Sequence, residues 1–171
     1  MIMYAFYSFI SSLGFAIIYN VKGKNVIIAG IGGGISWLVY LLINNIYNSN
    51  LLSLFIGAIS VSMYSEIMAR LRKAPVTTFI ICGIIPLVPG NGMYYTMYET
   101  IIGNLPKATS YGLQTLGAAG SIAIAIAMVS SLSKLVFLKK KIILNNKPII
   151  ENYLENTFTQ LLYNIKSYCT V

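Results

Sequence analysis

The stretch Pro86-Leu87-Val88-Pro89-Gly90-Asn91-Gly92 gathers the residues that most disturb a helix, and it does so inside an apolar run. Proline has no N–H, so Pro86 releases the carbonyl of Cys82 and Pro89 that of Ile85. Gly90, Asn91 and Gly92 then weaken any helix that continues. The pattern predicts two half-helices, with free carbonyls ending the first and free N–H groups opening the second. Such a break can hold a cation at one end and a carboxylate at the other, as in the discontinuous helices of transporters. The expected chemistry is binding at Pro86, Pro89, Gly90, Asn91 and Gly92, with a substrate carboxylate near the N–H groups of Gly92 to Tyr94. The competing explanation is a proline kink that only shapes packing.

Ionisable groups are the next candidates. Glu66 lies one turn before Arg70, and Glu99 follows the break. Carboxylates within membrane segments are functional candidates, and in a chain without histidine Glu66 and Glu99 are the two that could relay protons. The plainer alternative pairs Glu66 with Arg70 at i,i+4 and leaves Glu99 in outer water. Tyr94, Tyr95 and Tyr98 fit an aromatic belt as well as a ligand wall. Gly30, Gly32, Gly33 and Gly34 fit close helix packing, with a hinge as the alternative.

What is missing narrows the function further. Zero histidines, two cysteines and four carboxylates leave too few groups for a zinc site, a Ser-His-Asp triad or a Cys-His pair, so no enzyme, no cofactor and no metal is expected. No Gly-x-x-x-x-Gly-Lys-Ser/Thr loop is present to bind ATP. The basic residues flank apolar runs and form no stripe for nucleic acid.

The elements that must position the break follow from composition. Of 171 residues, 57% are hydrophobic and 9% charged, with a net charge of +8 and a mean hydropathy of +0.74. A soluble domain carries about a quarter charged residues, so the chain reads as an integral membrane protein. The expected fold is all-α with five transmembrane helices: Met3–Tyr19, Val26–Ile43, Leu51–Ala69, a broken fourth segment Val76–Ile102, and Leu113–Leu135. Asn44 to Asn50 form a polar turn. About 13 residues from Val76 to Val88 climb roughly 20 Å, which places the break past the midplane of a core about 30 Å thick.

Ten of the twelve basic residues fall in the loops after the first and third spans and in the tail; Lys107 lies on the other side and Lys134 within the end of the fifth span. Cytoplasmic loops carry the excess of Lys and Arg, so the N-terminus is expected outside and the C-terminus inside. The same count favours a full crossing by the fourth segment over a re-entrant loop. Met1–Ile18 lacks a basic n-region and a small-residue cleavage site, and reads as a retained helix. Cys82 and Cys169 read as free thiols.

Residues 1–138 thus form a bundle, and 139–171 a basic cytoplasmic tail. In the tail Ile149, Ile150, Tyr153, Leu154, Phe158, Leu161, Leu162, Ile165 and Tyr168 recur at helical spacing, after Pro148 at its first turn. This amphipathic helix either lies on the inner membrane surface, docks on a partner or covers its own apolar face on the bundle.

Glu66-x-x-x-Arg70-x-x-Lys73-x-Pro75, followed by Gly83-Ile84-Ile85-Pro86-Leu87-Val88-Pro89-Gly90, resembles the small-subunit half of the bacterial threonine/serine exporter family. Gly14-Phe15-Ala16-x-x-Tyr19-Asn20 and the glycine-rich Gly30 to Tyr40 are similar to that family's first and second helices, and the likeness covers residues 5–136. It implies a secondary exporter of small polar amino acids or related organic acids in the bacterial plasma membrane, driven by an ion or proton gradient. It also implies a separate large subunit; a homo-oligomer stays open. The matching motif positions are Glu66, Arg70, Pro75, Pro86, Pro89 and Gly90. A non-transporting scaffold that stabilises a partner transporter is the alternative.

Overall fold

The computed structural model describes residues 2–135, all of whose regular elements are helical. They are α1 (Ile2–Ile18), α2 (Asn25–Tyr47), α3 (Asn50–Arg72), α4 (Val76–Ile84), a 3-10 turn (Ile85–Leu87), α5 (Gly90–Ile102) and α6 (Leu105–Leu135). The amphipathic tail, its basic cluster and Cys169 lie outside the described residues.

Helix ends follow local chemistry. Asn20, Asn48, Lys73 and Gly103 adopt positive φ, the left-handed conformation that ends a helix by turning its next N–H back onto the last carbonyls; Gly23, also at positive φ, turns the loop before α2. Asn48 donates to Asn44 O, and Lys73 to Ala69 O and Arg70 O. Arg70 and Arg72 in the last turn of α3 complement its dipole. The expected seven-residue turn shrinks accordingly: Asn44 to Tyr47 complete α2, and only Asn48 and Ser49 separate it from α3. Polar residues sit comfortably in a terminal turn, where carbonyls need partners anyway. α6 likewise starts two turns before the expected Leu113, because Asn104 O takes the Ala108 N–H at 3.0 Å and Pro106 suits a first turn.

The compact unit Met1–Ser130 is built around α2, which packs on α1, α3 and α4. The residues that α2 buries are Ala29, Gly30, Gly32, Gly33 and Ser36, all small. Between lipid-embedded helices, close approach and hydrogen bonds replace the hydrophobic drive. Gly33 lies under the Ser12 side chain of α1, and Gly83 of α4 under Val61 of α3, each leaving no room for a Cβ. Ser8 Oγ donates to Gly33 O at 2.8 Å, and Ser36 Oγ reaches both Gly33 O at 2.8 Å and Gly83 O at 3.0 Å. These serines tie α1 and α4 to the central helix.

Two apolar clusters complete the packing. Ala16, Ala29, Ala69, Phe79 and Cys82 join α1 to α4; Leu54, Ala58, Leu87, Ala118, Ile122 and Ala125 join α3, the 3-10 turn and α6. Cys82 is a buried free thiol. Large apolar side chains such as Phe6, Ile17, Met63, Met97, Ile101 and Leu116 point outward. Small residues inside and large ones outside suit a lipid surround.

Among the described residues three helices, α2, α3 and α6, are long and apolar enough to cross a membrane; α4 with its 3-10 turn and α5 form a broken pair bent by 56°, and Met3–Ile18 is a shorter apolar helix. The protein is an all-α, multi-pass membrane protein.

Candidate functional site

The break forms residue by residue. Ile85 keeps helical dihedrals although it precedes Pro86 (φ −46°, ψ −44°), so the first proline only tightens the chain into a 3-10 turn. The second proline ends it. Val88, which precedes Pro89, is extended at φ −59° and ψ 128°, the region to which a following proline ring confines a residue. The chain then turns at Pro89 (φ −75°, ψ 58°) and α5 begins at Gly90.

The break is therefore shorter than the sequence reading placed it. Gly90, Asn91 and Gly92 belong to the first turn of α5, where weak helix formers cost little. The Ile85 carbonyl, expected to be free, accepts the Val88 N–H at 3.2 Å. The Gly90 N–H bonds Val88 O at 2.8 Å, and Met93 is the first amide of α5 to bond one turn back, to Pro89 O at 3.2 Å. The amides of Asn91 and Gly92 thus precede the helical ladder.

A cavity of about 710 Å³ opens at this point. Pro86 to Gly92 form one wall, Trp37 and Tyr40 of α2 with Asn50 and Leu54 of α3 a second, and Tyr95 of α5 with Tyr111, Gln114, Thr115 and Ala118 of α6 a third. The volume suits a small molecule, and among the described residues no charged side chain is in the lining. Tyr40 OH donates to Asn50 Oδ1 at 3.0 Å, and Thr115 Oγ1 to Tyr111 O at 2.7 Å. Two ring stacks border the space: Trp37 on Tyr40 with centroids 4.9 Å apart, and Tyr95 on Tyr111 at 5.5 Å.

Five of the sequence candidates, Pro86, Pro89, Gly90, Asn91 and Gly92, meet in this lining. Tyr94 does not; it is 62% exposed and packs on Tyr95 and Tyr98. One residue on, a turn of about 100° brings Tyr95 to the cavity instead. Glu66 and Arg70 are outside the lining and form an i,i+4 ion pair at 2.9 Å. Glu99, also outside it, sits in the last turn of α5, where its carbonyl accepts the Asn104 N–H at 2.9 Å. Sequence reasoning missed Trp37, Tyr40, Asn50, Tyr111 and Thr115. Trp37 and Tyr40, three apart and so on one helix face, were the signal available.

A bundle of apolar helices with a broken element opening on an uncharged cavity has the build of a membrane transporter. The sequence model of the family described as Threonine/Serine exporter, ThrE, matches residues 4–132, and the chain belongs to that family. The family is a class of exporters, not of enzymes. No curated protein and no solved structure matched the chain.

Proposed function

We propose that the chain is the small subunit of a secondary exporter of small polar amino acids, or of related organic acids, acting with a separate large subunit in a bacterial plasma membrane. The observation that carries this reading is the cavity at the break, which draws on α2, α3, α5 and α6. The substrate carboxylate meets the amides of Asn91 and Gly92 at the positive end of α5. Alternating access runs through rocking of the half-helices about Val88 and Pro89, driven by an ion or proton gradient. In this reading α1 and the broken pair each span once, giving five crossings with the N-terminus outside. Glu66, Arg70 and Glu99 lie away from the substrate and serve the interfaces or the coupling step.

Gly90 provides the test, because it lines the cavity and a Cβ there meets nothing within 4 Å. Gly90→Phe adds a bulky ring at the lining where no neighbour crowds its Cβ, and is expected to obstruct the cavity. Co-reconstituted with the large subunit in proteoliposomes, it is expected to insert and assemble like the wild type, with efflux of labelled serine and threonine at background. Normal efflux from an assembled Gly90→Phe complex would make the chain a scaffold for its partner.

A further inference from the structure

An amino acid brings two charges, and the amides at the start of α5 answer only one. An ammonium group buried without a partner carries a large desolvation penalty, yet among the described residues the lining holds neither Asp nor Glu. What it holds is four aromatic rings, Trp37, Tyr40, Tyr95 and Tyr111. They come from three helices as two stacks, with interplanar angles of 30° and 28°. Stacking uses one face of each ring, and Tyr94 also lies edge-on to Tyr95 at 5.4 Å; Trp37, Tyr40 and Tyr111 make no second ring contact among the described residues, and an electron-rich ring face attracts a cation within about 6 Å of its centroid.

The hydrogen bonds at this wall have the matching polarity. Tyr40 gives its proton to Asn50 Oδ1, so its phenolic oxygen keeps lone pairs for an N–H donor, while the Asn50 amide keeps its own donors. Thr115 gives its proton to the Tyr111 carbonyl, so its oxygen too remains an acceptor.

We propose that Trp37, Tyr40, Tyr95 and Tyr111 form the subsite for the ammonium group of the substrate, so that the cavity takes zwitterionic α-amino acids and discriminates against α-hydroxy acids of the same shape. This rests on the exporter reading and narrows it, removing the organic acids. Tyr95 and Tyr111 are the specificity-determining pair, because their stack joins α5 to α6 beside the amides that hold the carboxylate.

Trp37 is the one tryptophan in the chain, so its fluorescence reports on the cavity directly. The purified full-length chain in lipid nanodiscs is titrated with L-serine and with L-glycerate, which carries a hydroxyl where serine carries the ammonium. Serine is expected to change the emission saturably, and glycerate to bind about tenfold or more weakly, the weight of a desolvated cation–π contact. Tyr95→Leu with Tyr111→Leu should bring the two affinities together, whereas Tyr95→Phe with Tyr111→Phe, which keeps both ring faces, should preserve the preference. Equal binding of the two ligands by the wild type overturns the ammonium subsite and leaves the cavity as a carboxylate site. Equal weakening of both by the leucine pair also overturns it, giving the rings a packing role. No response to either ligand from a chain whose complex exports serine overturns the location of the substrate site itself, and the subsite with it.

Discussion

Gly92 of α5 and Thr115 of α6 meet so closely that Thr115 Oγ1 fills the space a Cβ on Gly92 would need. One turn along, Thr96 of α5 lies against Gly112 of α6, whose Cβ would meet Thr96 Cγ2 at 3.5 Å. The first turn of α5 therefore packs closely on α6, most tightly at Gly92. A glycine that reads in the sequence as a helix breaker acts here as a contact surface.

Gly92→Ala is accordingly expected to lower the stability of the folded chain by about 1–3 kcal/mol, the usual cost of forcing a methyl group into a packed site. It should also weaken substrate binding by moving the first turn of α5. Thr115→Ala removes the atoms in the way, so the double variant should recover much of both losses. Thermal unfolding in detergent and efflux from proteoliposomes measure the two effects as a double-mutant cycle. A double variant no better than Gly92→Ala alone would show that glycine is needed there for its backbone and not for the contact.

The sequence disclosed the bundle and the position of the break, because both depend on local properties. Apolar length defines a span, and proline removes an amide wherever it stands. What stayed hidden depends on neighbours distant in sequence. Trp37, Asn50 and Thr115 became cavity residues only when α2, α3 and α6 closed around Pro86 to Gly92. Tyr94 and Tyr95 are indistinguishable by composition; the register of α5, set by Pro89, decides which faces lipid. The serine ties were equally hidden, since Ser36 gains its partner Gly83 from 47 positions away.

The two prolines of the break divide their roles, and that division is measurable. Pro89 holds Val88 extended, whereas Pro86 sits within a 3-10 turn that continues α4. Pro89→Ala frees Val88 to become helical, and alanine is favoured over proline by about 3 kcal/mol at a helical position. The 56° bend should then open. Spin labels at Thr77 and Ile101, both exposed, should move apart by roughly 4 Å as the segment straightens at 1.5 Å rise per residue. Pro86→Ala restores an amide to the Cys82 carbonyl and should leave the distance unchanged. Straightening by Pro86→Ala instead would move the hinge one turn earlier.

Ser36 and Ser12 are both wholly buried hydroxyls, yet they should respond oppositely to substitution. Ser36 Oγ links α2 to α4 through the Gly83 carbonyl near the end of α4. Ser12 Oγ rests on Gly33 without a hydrogen-bond partner among the described residues. Interhelical hydrogen bonds in membranes contribute about 0.6 kcal/mol on average and up to about 1.7. Ser36 should lie at the upper end, because no water reaches the carbonyl it leaves behind. Ser36→Ala is expected to destabilise by about 1–2 kcal/mol, since a buried acceptor is then unsatisfied. Ser12→Ala removes an unsatisfied hydroxyl and keeps the Cβ, so its stability should match or exceed the wild type. Unfolding in mixed micelles against denaturing detergent compares them directly. A loss from Ser12→Ala as large as that from Ser36→Ala would mean that the Ser12 hydroxyl is hydrogen-bonded within the folded chain, and that the α1–α2 contact depends on polarity as well as close packing.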